Sequence, residues 1–307
     1  MITRYFRTLK DSAMKELPET RSGVWIHCVA PSEVELQELF SELGLDEALV
    51  EDALDFYEVP RYERASGANF FFTRYPFADP IEDTDTAPIM IVVGESYVLS
   101  VVQRDIPQLK PLLEGRVPVV TTQKTKLFIE IMQEIVDSFE RELVKLRRAV
   151  HRDRTQLRQI GSREIEQFVT YEHKLNDIIA AVLPTNAALQ KLMQGKGMQL
   201  YSSDVELMDD LTIDNTQLVD SSRAVLKTIQ NVRTAAEAIL TNTLNNRIKT
   251  LTVLTIILTI PTIFTSLYGM NVSLPYMNEP GVFWGMLTAI AVTIVATLAI
   301  FKRNKWI

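Results

Sequence analysis

Two charge-free apolar runs near the C-terminus constrain this chain more than any other feature. Residues 250–268 (TLTVLTIILTIPTIFTSLY) and 281–301 (GVFWGMLTAIAVTIVATLAIF) contain no Asp, Glu, Lys or Arg. A spanning helix needs roughly 20 mostly apolar residues, so each run is long enough to cross a bilayer. Only residues 269–280 join them, beginning Gly269-Met270-Asn271. A hairpin with so short a connection exposes almost nothing on the far side. Whatever is recognised there must be recognised by this tripeptide and its few neighbours.

The remainder of the chain is of a different kind. Over 307 residues the composition is 47% hydrophobic and 23% charged, with a net charge of -7. That charged fraction is ordinary for a soluble protein, so the apolar excess is local. The acidic balance argues against nucleic acid, whose binders carry a basic footprint. Cys28 is the only cysteine, which excludes an intrachain disulfide and a thiolate metal cluster. Inside GVWIHCVA it reads as a small buried hydrophobe. The N-terminal MITRYFRTLKDSAMKELPE has no apolar core of a signal peptide, so the soluble part is expected to stay on the side where it is made.

Residues 1–120 read as an α/β domain. Residues 23–30 predict a buried strand. Pro31-Ser32 opens a helix, with Glu35 placed for a capping box. A second helix is expected over 46–55 and a strand over 69–74. Residues 88–93 and 97–102, separated by Gly94-Glu95-Ser96, predict a β-hairpin. A short helix follows at 106–114. This mixture predicts one sheet covered by helices. No phosphate loop, nucleophile elbow or internal repeat appears.

Residues 121–246 read as helical. No proline occurs between Pro118 and Pro184, and two antiparallel helices broken near Gly161-Ser162 fit the spacing. The basic cluster Arg147, Arg148, Arg152 and Arg154 reads as a solvated helix face. Between Met198 and Ile260 there is neither glycine nor proline. Met208, Leu211, Leu218, Val225, Ile229, Val232, Ala236 and Ile239 form a seam at helical spacing. One helix is therefore expected from about 204 through the first apolar run, on the order of 90 to 100 Å long at 1.5 Å per residue. That is too long for the core helix of one compact domain, and it reads as a stalk associating with copies of itself. Residues 247–307 complete the chain as a membrane domain. The fold class is α+β with integral membrane helices: an N-terminal α/β domain, a long helical stalk and two C-terminal transmembrane helices.

Polar residues in the first apolar run are ordered. Thr252, Thr255, Thr259, Thr262 and Ser266 fall at steps of three, four, three and four, and the register extends back through Ile248 to Asn245. One helix face carries them all, read here as continuous with the stalk seam. Two readings are open: small polar residues that glue membrane helices together, or hydroxyls lining a water-filled axis. The stripe runs straight into Gly269 and Asn271, which favours a pore. Pro261 removes one backbone hydrogen bond, tolerated where hydroxyls or waters replace it. Neither run contains a carboxylate or histidine, as proton-driven or dehydrating transport would normally require. Hydroxyls, amides and carbonyls suit a hard cation that keeps its water, and magnesium dehydrates reluctantly. Arg247 and Lys249 precede the first run, and Lys302, Arg303 and Lys305 follow the second. The loop between has Glu279 and no basic residue, so both termini are expected in the cytoplasm.

Two C-terminal spans, the first ending Tyr268-Gly269-Met270-Asn271, with a soluble region in front and the basic tail KRNKW behind, resemble the CorA family of divalent-cation channels. The resemblance covers the whole chain in outline and is specific from about Asp204 onward. It implies a homopentamer in the inner or plasma membrane, surrounded by lipid, with a cytoplasmic funnel and the first span lining the pore. It implies Gly269, Met270 and Asn271 as the selectivity filter, and Lys302, Arg303 and Lys305 as a basic collar. Magnesium is the implied substrate, with cobalt or nickel as secondary ions. Magnesium is also a candidate regulatory ligand, and no organic cofactor is implied. Two departures stand out. The loop continues VSLPYMNEPGVFW where family members read Met-Pro-Glu-Leu, leaving Glu279 as its one acid. Where members carry a stalk aspartate for a regulatory ion, Thr234 stands here, with Glu237 about one turn on. Glu51, Asp52, Asp210, Asp214 and Glu237 are the candidates for such a site, and each also reads as an ordinary surface acid. His27, His151 and His173 form no motif. The alternatives are a zinc transporter of the same superfamily, whose members tend to carry a variant tripeptide, and a membrane-anchored scaffold or sensor. An enzyme finds no nucleophile, base or cofactor motif in support.

Overall fold

The computed structural model describes residues 1–77, 85–154, 162–194, 198, 200–272, 279, 281–304 and 306. They form two compact units, Met1–Val232 and Arg233–Ile307. In the first unit the elements are β1 (Ile2–Phe6), β2 (Lys15–Leu17), β3 (Val24–Val29), α1 (Glu33–Leu43), α2 (Leu49–Leu54), β4 (Arg61–Ala65), β5 (Ala68–Phe77), β6 (Asp85–Val93) and β7 (Tyr97–Val102). A 3₁₀ turn, Pro107–Leu109, leads into α3 (Lys110–Leu113), then α4 (Lys124–Arg154) and α5 (Ser162–Gln194). Helix α6 (Ser202–Tyr268) starts in this unit and ends in the second, which also holds α7 (Gly281–Arg303).

All seven strands form one sheet in the order β2-β1-β3-β7-β6-β5-β4. Only β3 and β7 pair in parallel; the other neighbours are antiparallel. Side chains alternate across a strand, so the run Phe70-Phe71-Phe72 serves both faces. Phe70 and Phe72 join Val24, Ile26, Cys28, Leu99 and Val101 under α1 and α2, which contribute Leu36, Leu39, Phe40, Val50 and Ala53. Phe71 faces the other way and meets Phe128 of α4 edge to face, ring centroids 5.2 Å apart. Beside it, Thr73 and Thr185 of α5 share a 2.8 Å hydrogen bond. With both faces covered, the central strands read as continuous apolar runs rather than alternating ones. Each fully buried phenylalanine contributes about 1.5–3 kcal/mol.

Local signals set the ends of elements. Ser32 and Glu35 make the reciprocal capping box expected for α1, and Gly44 ends that helix at φ 65°, in the left-handed region where a side chain is strained. The expected hairpin is β6–β7. The second expected helix is shorter than 46–55, because Asp46 turns its carboxylate onto the Ala48 N–H at 3.0 Å before the helix begins. The helix expected at 106–114 divides into the 3₁₀ turn and α3. Three strands lay outside the sequence reading: β1, β2 and β4. Their sequences, ITRYF, KEL and RYERA, are short and interrupted by charged residues, and two of the three lie at the sheet's edges. Gly161 lies outside the described residues, as do the side chains about the expected break at Ser162.

Helix α6 is packed on α4 and α5 by side chains along its first part. Buried Asn215 donates to the Val182 carbonyl at 3.0 Å, and Gln133 of α4 donates to Asp214 at 3.3 Å. Met208, Leu211, Leu218, Val225, Ile229 and Val232 are all buried within the one chain. The seam expected to meet other copies is thus already covered by the chain's own helices. Ile239, its last member, is exposed.

Burial sets one titration that can be tested. His27 on β3 is 5% exposed, its Nδ1 lying 2.8 Å from Ser100 Oγ, which also accepts from Trp25 Nε1 at 2.9 Å. Desolvation pushes its pKa down to about 4, against about 6.5 when unfolded. The folded value lies below the unfolded one, so the unfolded chain binds more protons between them and stability falls as pH drops through that window. The loss is about 3 kcal/mol by pH 4. The thermal midpoint of the purified protein should therefore fall less between pH 7 and 4.5 in His27→Gln than in the parent. Equal falls would remove His27 from the acid response.

Candidate functional site

The second unit is built from two helices long and apolar enough to cross a membrane, the C-terminal stretch of α6 and the whole of α7. No residue of α7 is buried, as for a helix whose solvent is not water. Cover in the two spans falls mainly on one stripe of each helix. On α6 it comprises Val253, Ile256, Ile257, Ile260, Pro261, Phe264 and Tyr268, with Thr252 at its margin; on α7 it comprises Val282, Met286, Ile290, Thr293, Ile294, Thr297 and Phe301. Each stripe spans most of its apolar run, as suits two apolar faces laid lengthwise together. Both stripes repeat at steps of three and four, the spacing of one helix face.

The hydroxyl stripe lies on the other side of α6. Thr255, Thr259, Thr262 and Ser266 are exposed, and Thr252 is half-buried. At about 100° per residue, the centre of the stripe is turned by about 160° from the centre of the α7-facing stripe. The hydroxyls therefore do not glue α6 to its own α7. Asn245 and Ile248, below the stripe, are exposed as well. The stripe does not continue the buried seam: the step from Ile239 to Asn245 is six residues, not the seven that would hold the register.

Each threonine of the stripe bonds its own helix. Thr252, Thr255, Thr259 and Thr262 donate to the carbonyls of Ile248, Leu251, Thr255 and Leu258 at 2.8–3.0 Å. With the hydroxyl proton committed to the backbone, the oxygen turns only lone pairs outward. The helix is continuous through Pro261, whose carbonyl accepts from Thr265 Oγ1 at 3.0 Å.

The helix ends at Tyr268, and the Gly269 N–H still reaches the Thr265 carbonyl at 2.9 Å. A Cβ at position 269 would sit 3.0 Å from that carbonyl oxygen. Glycine therefore lets the chain leave the helix without crowding its last turn. Met270, Asn271 and Val272 follow and are exposed. Residues 273–278 and 280 lie outside the described set; Glu279 is exposed, and its carbonyl accepts from the Val282 N–H at 3.1 Å at the start of α7. Lys302 and Arg303 are exposed in the last turn of α7, whereas Lys305 lies outside the described residues.

The acids considered for a regulatory ion do not meet within one chain. Glu51 and Asp52 are on α2, on the sheet face opposite α4 and α5, and Asp52 pairs with Arg61 at 2.7 Å. Asp210 and Asp214 are on α6, and Glu237 lies 4.0 Å from Arg233. Among the described residues no group of three His, Cys, Asp or Glu side chains comes together as for a metal ion. An acidic ridge on α4 escaped the sequence reading, although Glu130, Glu134 and Asp137 stand at i, i+4 and i+7. Desolvation, then the neighbouring Asp137, raises both glutamates above the usual carboxylate range. Gln133 links the ridge to α6, donating to Asp137 at 3.0 Å as well as to Asp214.

Known proteins place this architecture. A cobalt/magnesium transport protein CorA from Methanocaldococcus jannaschii is 27% identical over 294 residues, covering 92% of this chain and 91% of that one. A magnesium transport protein CorA from Yersinia pseudotuberculosis is 24% identical over 318 residues, covering 96% and 95%. The complete structure of the CorA magnesium transporter from Methanocaldococcus jannaschii superposes with a TM-score of 0.86 at 23% identity, covering 100% of this chain and 99% of that one. The family model described as CorA-like Mg2+ transporter protein matches residues 21–303, and with that match over nearly its whole length the chain belongs to the CorA-like Mg2+ transporter family.

Proposed function

We propose that this chain is one subunit of a homopentameric channel that carries Mg2+ across the inner or plasma membrane, with Co2+ and Ni2+ as secondary ions. One observation supports this reading above the others. The only ordered row of polar side chains in the first span is turned away from α7 and leads into Gly269-Met270-Asn271. The free lone pairs of such a row are best placed against a neighbouring helix or water rather than lipid. A shared axis supplies both, with Asn245, Ile248, Thr252, Thr255, Thr259, Thr262 and Ser266 facing it.

The chemistry of the row fits a hydrated cation. Waters around Mg2+ point their hydrogens outward, and the threonine oxygens offer lone pairs with no hydrogen in the way. At the entrance a ring of Asn271 amide oxygens accepts from the same water shell, and the Gly269 carbonyl joins it. Met270 brings a soft thioether, a poor ligand for magnesium, and its role is to pack the loop. No carboxylate in the tripeptide competes with first-shell water, so the ion is selected by the size and charge of its hydrated form. Both termini are cytoplasmic, with Lys302, Arg303 and Lys305 forming a basic collar at the inner end.

Magnesium is also the proposed regulatory ligand. It would bind between the soluble domains of neighbouring subunits, with Glu51, Asp52, Asp210, Asp214 and Glu237 as the candidate ligands. An ion that binds one state better shifts the population toward that state. The names of the relatives support the cargo, since two of them read cobalt/magnesium and magnesium transport protein.

Two experiments test the axis and the entrance. In a Cys28→Ser background, cysteines replacing Thr255 or Thr259 should crosslink between subunits much more efficiently than cysteines replacing Leu254 or Leu258. Equal crosslinking at all four positions would remove the stripe from the axis. An exchange-inert cobalt(III) hexaammine complex, close in size to a hexahydrated ion and rich in donors, should block Mg2+ uptake. Asn271→Ala should abolish uptake while the oligomer stays assembled. Normal uptake by Asn271→Ala, together with no block by the complex, would contradict recognition of the hydrated ion at this ring.

A further inference from the structure

The basic cluster of α4 has a place in the fold that a solvated helix face does not explain. A groove of about 330 Å³ lies between α4 and α6, lined by Arg147, Val150, His151 and Arg154 on one side and Ser221, Ala224, Val225 and Thr228 on the other. Arg147, His151 and Arg154 stand at i, i+4 and i+7, so they form one row about 10 Å long. Ser221, Ala224, Val225 and Thr228 form the matching row on α6. Val150 and Val225 are buried and make the floor, while the small side chains of Ser221 and Ala224 leave the space above it open.

No carboxylate lines this groove. Among the described residues Arg147, His151 and Arg154 have no ion pair, and the Ser221 hydroxyl has no hydrogen-bond partner. The acids nearest in sequence are engaged elsewhere: Asp153 with Arg152 at 2.9 Å and with Tyr171 at 2.8 Å, and Asp220 with Arg223 at 3.9 Å. Cations in the last turn of a helix complement its dipole, which accounts for Arg152 and Arg154. It accounts neither for Arg147, about two turns earlier, nor for the groove.

We propose that this groove binds a phosphate-bearing anion with two or more negative charges, held by Arg147, His151 and Arg154 of α4 and the Ser221 hydroxyl of α6. Planar guanidinium groups match phosphate oxygens two at a time, and a row of cations 10 Å long fits linked phosphoryl groups better than one compact anion. The bound anion would tie α4 to α6. The binding claim stands independently of the transport reading.

The test uses the full-length protein in detergent, free of divalent ions. Inorganic pyrophosphate and dihexanoyl phosphatidylglycerol are titrated separately by calorimetry, to distinguish a soluble anion from a lipid headgroup. Arg147→Gln and Arg154→Gln should each weaken binding at least about tenfold, as the loss of a charge-assisted hydrogen bond does. Arg148→Gln removes the same charge one position off the row and should leave affinity nearly unchanged. This pattern with pyrophosphate assigns a soluble anion; the same pattern with the lipid alone assigns a headgroup. Failure of both probes to bind, or an Arg148→Gln loss as large as that of Arg147→Gln, overturns the proposal.

Discussion

Inside a bilayer no water is available to satisfy a stray N–H, C=O or O–H, and each one left unpaired costs several kcal/mol. That constraint makes both apolar runs helices and dictates what their threonines do. Thr252, Thr255, Thr259 and Thr262 each donate to the carbonyl one turn back, the nearest acceptor that the helix offers. The consequence reaches beyond stability. A row of side chains whose protons are internally committed is a row of acceptors, and acceptors facing an axis favour cations with their water over anions. The apolar stripe shared with α7 fixes which way the row turns.

The soluble unit obeys ordinary water-side rules. Its sheet is buried on both faces, α1 and α2 on one and α4 and α5 on the other, and α6 is laid on the outside of α4 and α5. A single helix thus passes from a well-packed unit, where Met208 through Val232 are covered, into a stretch where residues 239–251 are all exposed. That exposed stretch holds Asn245 and Ile248. An isolated helix gains nothing from leaving Ile239, Leu240, Leu244, Ile248 and Leu251 uncovered, and an assembly of the kind proposed above would remove that apolar surface from water.

Much of this was legible in the residues because the strongest signals are one-dimensional. Run length gave the two spans, the absence of glycine and proline gave the long helix, and Ser32 with Glu35 gave the start of α1. What escaped depended on partners distant in the chain. Strand β1 has no apolar period, and its pairing with β3 is a tertiary fact, with Arg4 opposite Ile26. The seam from Met208 to Val232 is apolar at helical spacing whichever partner covers it, so spacing alone could not distinguish α4 and α5 from another copy. The stripe's residues were readable, but its orientation needed the cover on Val253, Ile260 and Phe264, on the other side of the helix, to be seen. The acids of α2 and α6 carried no spacing signal, and within one chain they lie apart.

The most direct measurement is ion uptake by purified protein reconstituted in liposomes, comparing Mg2+, Co2+, Ni2+ and Zn2+ with and without a proton gradient. A channel for hydrated magnesium, with no ionisable group in either span, should pass Mg2+ down its own gradient whether or not protons are unequal across the membrane, and should pass Co2+ and Ni2+ less readily. Uptake of Zn2+ alone, Mg2+ uptake that depends on the proton gradient, or no uptake of any of the four ions would contradict it.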